Sequence, residues 1–496
     1  MQAKTFILTA LVAALAGSPR TATAAMVMEP KQVGADFDFG QIKNGKIGNG
    51  DAEDQVLARM GVYLATKGTY NERLELRMSI GGLFWFPLPE GITPERIMRF
   101  GPGVGEAQGV YHFGPAGAST ANLQFGLFPL KYNPDAANLG EYLFRSGTYP
   151  GYIWTGGWSY LNSASYMAQG ARYTAAYLGG AFTHIFSLLM ERDIEPTNDF
   201  SPGYLATVKP AAFLEFAAGA VWSHGLSLNG KRLTPESRTN AYVKATRQPL
   251  SLIERTRPGY EAGHPAVVPD SVDDASGGGR IPNPLIGQAV PGLKNTLYVS
   301  QTENGIPNSQ LDYYTFRGVK TMARASLDLG ALTGSSLFRP SEFKLYTEVA
   351  LLGVSNQPFY YEHRDERMPM MAGISLPTFG LFDKLALEAE YHKSRFENTV
   401  GLVYDRELPL PLNAEADNPY NFSDSAVAAD EKAFSKDDWH WSVYASRRLG
   451  EGVNFYGQVA SDYLRHFGPE VKPTNRPATL RPQDWYYVMR LEFGIF

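Results

Sequence analysis

The chain has 496 residues with 45 Lys+Arg against 50 Asp+Glu, a formal net charge of −5, and no cysteine. That balance carries no basic stripe of the kind a nucleic-acid binder uses, and the missing thiols exclude disulfides, thiolate metal sites and cysteine nucleophiles. Aromatic residues make up 13% of the chain and 50 residues are glycine, yet the mean hydropathy is −0.24.

In chain order, the first 24 residues read as a cleaved export signal. Lys4 supplies the positive charge, Thr5 to Ala16 is a compact apolar run, and Ala22-Thr23-Ala24 offers a small-residue cleavage site. The run is well short of the ~20 residues that a membrane helix needs. Lys4 and Arg20 leave with the signal, so the exported chain is more acidic still. Residues 25–55 are expected to be a periplasmic lead-in, and 56–496 a single domain.

From Val56 onward no apolar run of membrane-helix length survives. Tyr173 to Met190 comes nearest and is interrupted by Gly179, Gly180, Thr183 and His184. Segments of period-two alternation take its place, each roughly as long as a tilted membrane strand requires. Val56 to Thr66 is the first. In Arg73 to Phe86, Leu74, Leu76, Met78 and Ile80 share one face, while Arg73, Glu75, Arg77 and Ser79 share the other. Pro87 to Ser119 is long for a turn on the side where up-and-down counting places it, and room remains there for a further hairpin. Gly101-Pro102-Gly103-Val104-Gly105 reads as a turn, because it lacks the lysine and helix of a phosphate loop.

Further strands are expected at Asn122 to Phe128, Ala171 to Gly179, Phe182 to Glu191, Leu205 to Val221 with a kink near Pro210, Tyr313 to Leu329, Phe343 to Gly353 and Met370 to Leu376. Lys384 to Phe396 follows, with Lys384, Glu388 and Glu390 on one face and Leu385 and Leu387 on the other. A helix would scatter those charges around its circumference; a strand gathers them. Trp439 to Arg448, Val453 to Leu464 and Trp485 to Phe496 complete the series. Long connections lie near 133–170, 224–296, 395–438 and 466–483, and tight turns at Gly450-Glu451-Gly452 and near Gly380 to Asp383. A soluble sheet with one wet face would show the same alternation. Strand length, aromatics near strand ends and a strand running to the last residue favour an all-β transmembrane antiparallel up-and-down barrel of about 14 strands, within a range of about 12 to 16.

If the oily face meets lipid, the polar face lines the lumen. Arg73, Glu75, Arg77, Lys320, Arg324, Lys344, Glu348, Lys384, Glu388 and Glu390 are then lumen and selectivity candidates, or pairs that merely satisfy one another across strands. No G-x-S-x-G elbow or H-E-x-x-H helix accompanies His184, His224, His363, His392 or His440, and no catalytic residue is assigned. The acidic stretch Glu415 to Glu431 lacks the glycine of a calcium loop, so it reads as a solvated loop, and neither a metal nor a cofactor is assigned. Tyr149, Tyr152, Trp154, Trp158 and Tyr160 suit sugar stacking at a pore entrance, an interfacial girdle or a loop core equally well.

The terminal strand Asp484 to Phe496 resembles the last strand of bacterial outer-membrane proteins, which commonly ends in Phe and is read by the barrel-assembly machinery. It departs from the usual pattern, since Gly494, Glu492 and Arg490 share the face of Phe496; the apolar face is Tyr487, Met489, Leu491, Phe493 and Ile495. Over most of its length the chain looks like a porin-type channel. That resemblance implies passive diffusion of small hydrophilic solutes, an outer-membrane location, outer-membrane lipids and the assembly machinery as partners, and room for a homo-oligomer. Porins commonly fold one loop inward, which singles out Asn133 to Gly147 and adds Glu141 and Arg145 to the lumen candidates. The competing reading is a barrel acting as a surface receptor, adhesin or structural protein. In that case the Gly/Pro-rich 224–296 segment is a plug or a surface display.

Overall fold

The computed structural model describes residues 27–44, 46–47, 50–51, 54–85, 99–114, 120–144, 167–190, 199–223, 225–227, 318–334, 337–339, 341–354, 364, 368–392, 438–461 and 485–495. It also describes short pieces at 267–268, 271–273, 280–282, 284–285, 288, 299–300, 397–398, 411–412 and 477–478. The expected signal segment, Arg145, and the aromatic and acidic loop stretches lie outside these residues.

Sixteen strands follow one another: β1 Val27–Asn44, β2 Gln55–Tyr70, β3 Leu74–Trp85, β4 Arg99–His112, β5 Ala121–Pro129, β6 Met167–Tyr177, β7 Phe182–Met190 and β8 Asp199–Ala211. The second half is β9 Leu214–Ser223, β10 Gly318–Asp328, β11 Lys344–Leu352, β12 Met370–Ser375, β13 Lys384–His392, β14 Asp438–Gly450, β15 Val453–Ser461 and β16 Trp485–Ile495. Each pairs antiparallel with the next, and β16 returns to β1 from Val33↔Ile495 to Asn44↔Trp485. The sheet is therefore a closed barrel, and closure leaves no unpaired edge.

The two faces of that barrel are sorted oppositely to those of a soluble protein. Val33, Phe37, Ile80, Phe125, Phe186, Phe216, Leu345, Leu387 and Met489 are exposed on the outside, Ile80 at 45% and Phe186 at 50%. Asp36, Asp38, Ser79, Gln108, Lys320, Arg324, Glu348, Glu388, Glu390 and Arg490 are buried on the inside. Water rewards the reverse arrangement, so the outer surface is built for an apolar surrounding. On β16 the outward residues are Tyr487, Met489, Leu491 and Phe493, the apolar face expected from the sequence.

The ends of the barrel also differ. Val27 pairs with Thr69, which sets the start of β1 beside the turn at Asn71 to Arg73. The connections 71–73, 113–120, 178–181, 212–213, 329–343, 376–383 and 451–452 share this end with Ile495, and the long segments 130–166, 224–317, 393–437 and 462–484 leave from the other.

Sixteen strands lie at the upper end of the expected range, and three differences take the thirteen segments named from the sequence to sixteen. β1 occupies the segment expected as a lead-in, where Asp36 and Asp38 point inward and Phe37 outward. β4 runs through Gly101 to Gly105, expected as a turn; glycine is a poor strand former, but pairing of this stretch with β3 overrides local preference, with an irregularity opposite Ser79 and Ile80. The single strand expected over Leu205 to Val221 is the hairpin β8–β9. Leu205 and Thr207 point inward on β8 and Glu215 and Ala217 on β9, so the odd-residue phase continues across the turn and the alternation conceals it.

Two short-end turns are stapled by one carboxylate. Glu342 accepts the backbone N–H of Arg339 at 2.9 Å and of Thr378 at 2.9 Å, joining the β10–β11 connection to the β12–β13 connection. These hydrogen bonds hold its carboxyl below the usual carboxylate range. A depressed native pKa contributes stability that is present above the unfolded value and lost as pH falls through the native one. Glu342→Ala is expected to cost about 1–2 kcal/mol at neutral pH. In paired thermal melts the gap between variant and parent should close in acid below the usual carboxylate range; a gap independent of pH would refute the staple.

Candidate functional site

The connection leaving β5 turns into the barrel. Asn133 Oδ1 accepts the N–H groups of Asp135 at 3.2 Å and Ala136 at 3.4 Å, a side-chain-closed turn that Pro134 suits. Gly140 and Glu141 then adopt left-handed backbone, with φ 82° and 58°, and send the chain back. At φ 82° a side chain on Gly140 would be strained, and its Cβ, 2.7 Å from Met371 Cε, would also make the tip of that methionine shift.

Such a segment exposes backbone donors that no sheet satisfies, and the barrel wall answers with carboxylates, which accept and do not donate. Glu388 takes three consecutive N–H groups: Ala137, Asn138 at 2.8 Å and Leu139 at 2.8 Å, and it also accepts the Tyr346 hydroxyl at 2.8 Å. Glu390 accepts Gly140 N–H at 3.3 Å and the Tyr142 hydroxyl at 2.9 Å. Glu348 accepts Tyr142 N–H at 3.0 Å, the Tyr132 hydroxyl at 2.5 Å and Asn133 Nδ2 at 2.7 Å. Glu348 and Glu390 are wholly buried.

The sheet register brings these groups together. Arg324 pairs with Glu348, Glu348 with Met371, Met371 with Glu390 and Glu390 with His440, one inward-facing row across five strands. At its end His440 Nδ1 lies 2.8 Å from the Ser461 carbonyl, so Nδ1–H donates there. Within the loop, Glu141 accepts Tyr132 N–H at 3.0 Å and Asn133 N–H at 3.3 Å, and burial pushes its carboxyl above the usual range. Burial and the nearby Glu348 charge push the Tyr132 phenol well above its ordinary value, which keeps it a donor.

Cations close over the loop tip. Lys344 Nζ is 2.6 Å from Asp135 Oδ1, Lys384 Nζ donates to the Asp135 carbonyl at 2.9 Å, and Lys131 Nζ to the Ala136 carbonyl at 2.6 Å. Arg324 pairs with Glu215 at 2.5 Å and reaches to 3.9 Å from Asp135. Apolar contacts complete the seat: Leu139, Tyr142, Leu143 and Phe144 pack with Leu189, Leu205, Val221, Met322 and Leu352, while Ala137 joins Ile42, Ala386, Tyr444 and Val488. The loop thus touches two adjoining stretches of inner wall, one up to β12 and one from β13 round to β1. Elsewhere the wall stays wetter. Lys67 and Arg77 both pair with Glu75, yet their side chains remain 41% and 40% exposed.

Among the residues expected in the lumen, Glu75, Arg77, Lys320, Arg324, Lys344, Glu348, Lys384, Glu388 and Glu390 point into the barrel, and Glu141 lies in the inward loop. Arg324, Lys344, Glu348, Lys384, Glu388, Glu390 and Glu141 gather around that loop; Glu75 and Arg77 form a separate group with Lys67. Arg73 is exposed in the turn before β3, because the alternating pattern runs one residue past the end of the strand. Asn133 and Asp135 lie in the segment expected to fold inward without being lumen candidates themselves, and Tyr132, Tyr346, Glu215 and Arg172 lie outside every expected site. Glu215 shares the inward odd-residue phase of Leu205 and Ala217 with or without the hairpin, so alternation alone reaches it, whereas Asp135 carries no periodic signal.

The sequence matches no protein-family model and no curated protein. Among solved structures it is similar to a five-fold substituted variant of Rh. blastica porin, with 8% identity, 95% of this chain and 100% of that chain covered, and a TM-score of 0.40. It is also similar to the high-pH structure of Pseudomonas putida OprB, with 9% identity, coverage of 94% and 93%, and a TM-score of 0.42.

Proposed function

We propose that this chain is a porin-type outer-membrane channel for passive diffusion of small hydrophilic solutes. The observation that carries the reading is a closed barrel with an apolar outside, a charged inside and a loop clamped within it. Lipid would surround the outer face, and the short-turn end would face the periplasm. The leader at 1–24 would export the chain and the assembly machinery would insert it. The clamped loop would narrow the passage and select by size, and Lys67, Glu75 and Arg77 would act on ions through charge. The lumen charges are assigned to structure as well as selectivity: Glu348, Glu388 and Glu390 hold the loop, leaving the wetter residues to meet solute.

Contact of the loop with two stretches of wall supports the second reading, a plugged barrel that serves as receptor, adhesin or structural protein. Single-channel recording of the folded protein in a planar bilayer separates them. The channel reading expects stable conductance steps and a defined reversal potential in a salt gradient. A folded, heat-modifiable barrel that stays silent would overturn it in favour of the plugged form.

A further inference from the structure

Most inward-facing cations described above meet a carboxylate or a carbonyl. Arg172, on β6, has neither among the described residues. Its guanidinium carbon lies 5.5 Å from the ring centre of Phe128, which is itself wholly buried, and its Nε is buried with no hydrogen-bond partner. Its cross-strand neighbours are Gln124 on β5 and Ser187 on β7, both buried and neither charged.

Beside it, an amide chain ends in an unused acceptor. Gln124 Nε2 donates to Gln108 Oε1, and Gln108 Nε2 donates to Glu106. An ionised carboxylate only accepts, so Glu106 fixes the direction of the whole chain. Each amide must point its NH₂ towards Glu106 and its carbonyl away, which leaves Gln124 Oε1 at the β6 end. That oxygen is buried and has no donor. An orphan cationic donor and an orphan neutral acceptor therefore occupy adjacent inward positions, and leaving both unmade is costly.

We infer that Arg172 and Gln124 form a lumenal binding site for a hydroxylated oxyanion, a small solute carrying a carboxylate or phosphate beside a hydroxyl. The guanidinium takes the charged oxygen, in the geometry that makes arginine–oxyanion pairs strong. The Gln124 carbonyl accepts from the solute hydroxyl once its side chain turns toward the lumen, and the Phe128 ring flanks the guanidinium. A solute with the charge but no hydroxyl, or the hydroxyl but no charge, satisfies only one of the two orphans. This site depends on the channel reading only in that solute must enter the lumen.

The test is calorimetric titration of the folded barrel in detergent with gluconate, glucose and acetate, followed by bilayer recording with the same probes. Gluconate is expected to bind about tenfold or more tightly than glucose. Arg172→Gln should erase that preference, and Arg172→Lys should keep part of it. Gln124→Leu should weaken gluconate and leave acetate unchanged. Equal binding of gluconate by the parent and Arg172→Gln, with both still heat-modifiable, would overturn the site, as would no gluconate preference in the parent. A barrel that conducts without the preference refutes the site alone, whereas Arg172-dependent binding by a silent barrel upholds the site and refutes the channel.

Discussion

Replacing Glu388 by alanine is expected to undock the inner loop while leaving the barrel closed. Glu388 accepts three consecutive backbone N–H groups and a phenol hydroxyl, all buried. Each donor left unmade costs about 1–3 kcal/mol, so the seated loop loses more than its local docking can supply, and it opens to water instead. The sixteen-strand ladder uses none of these bonds. Amide exchange at Ala137, Asn138 and Leu139 should accelerate by roughly 10³-fold, which corresponds to about 4 kcal/mol, with strand amides unchanged. Glu388→Gln should fall between the parent and alanine, because its remaining carbonyl oxygen still accepts two of the four donors while its NH₂ is set against the others. Unchanged exchange at the three amides would show that the apolar contacts alone seat the loop.

The second large effect is expected at Arg324. Its guanidinium bridges Glu215 at 2.5 Å and Asp135 at 3.9 Å in a buried setting, so it joins the wall to the loop tip. Breaking a buried pair typically costs about 3–5 kcal/mol, mostly because a charge is left behind. Here the carboxylates keep Lys209 and Lys344, at 3.0 Å and 2.6 Å, which moderates the loss. Arg324→Leu is expected to destabilise the folded form by about 2–3 kcal/mol, read from the midpoint of heat-modified migration. Glu215→Leu combined with Arg324→Leu should cost less than the sum of the single changes. Strict additivity would mean that the two side chains are not coupled.

Both residues were legible as inward-facing from alternation alone, and so were Glu348, Lys384 and Glu390. Their use was not legible. Ala137 meets Glu388 across 251 positions and Arg490 meets Asp38 across 452, so no local window contains either partnership. Asp36 and Asp38 illustrate the difficulty within β1. Their alternation with Phe37 and Phe39 is plain, but two inward aspartates make sense in a barrel strand only once Arg490 is known to stand opposite, with Nε 2.8 Å from Asp38 and Nη2 3.3 Å from Asp36. The same holds for Arg172, whose meaning lies in the absence of a carboxylate on β5 and β7, a matter of register.

The sequence by itself determined the all-β class and which side of most strands faces inward, because side chains alternate with period two whatever the strand pairs with. It did not determine the number of strands. A hairpin that preserves phase and a glycine-rich strand both hide from a periodic reading, and only pairing with neighbours reveals them. Closure, the row from Arg324 to His440 and the seating of the loop were decided by tertiary structure alone. Those features depend on which strands stand side by side and in what register, and that is set by hydrogen bonds between segments far apart in the chain.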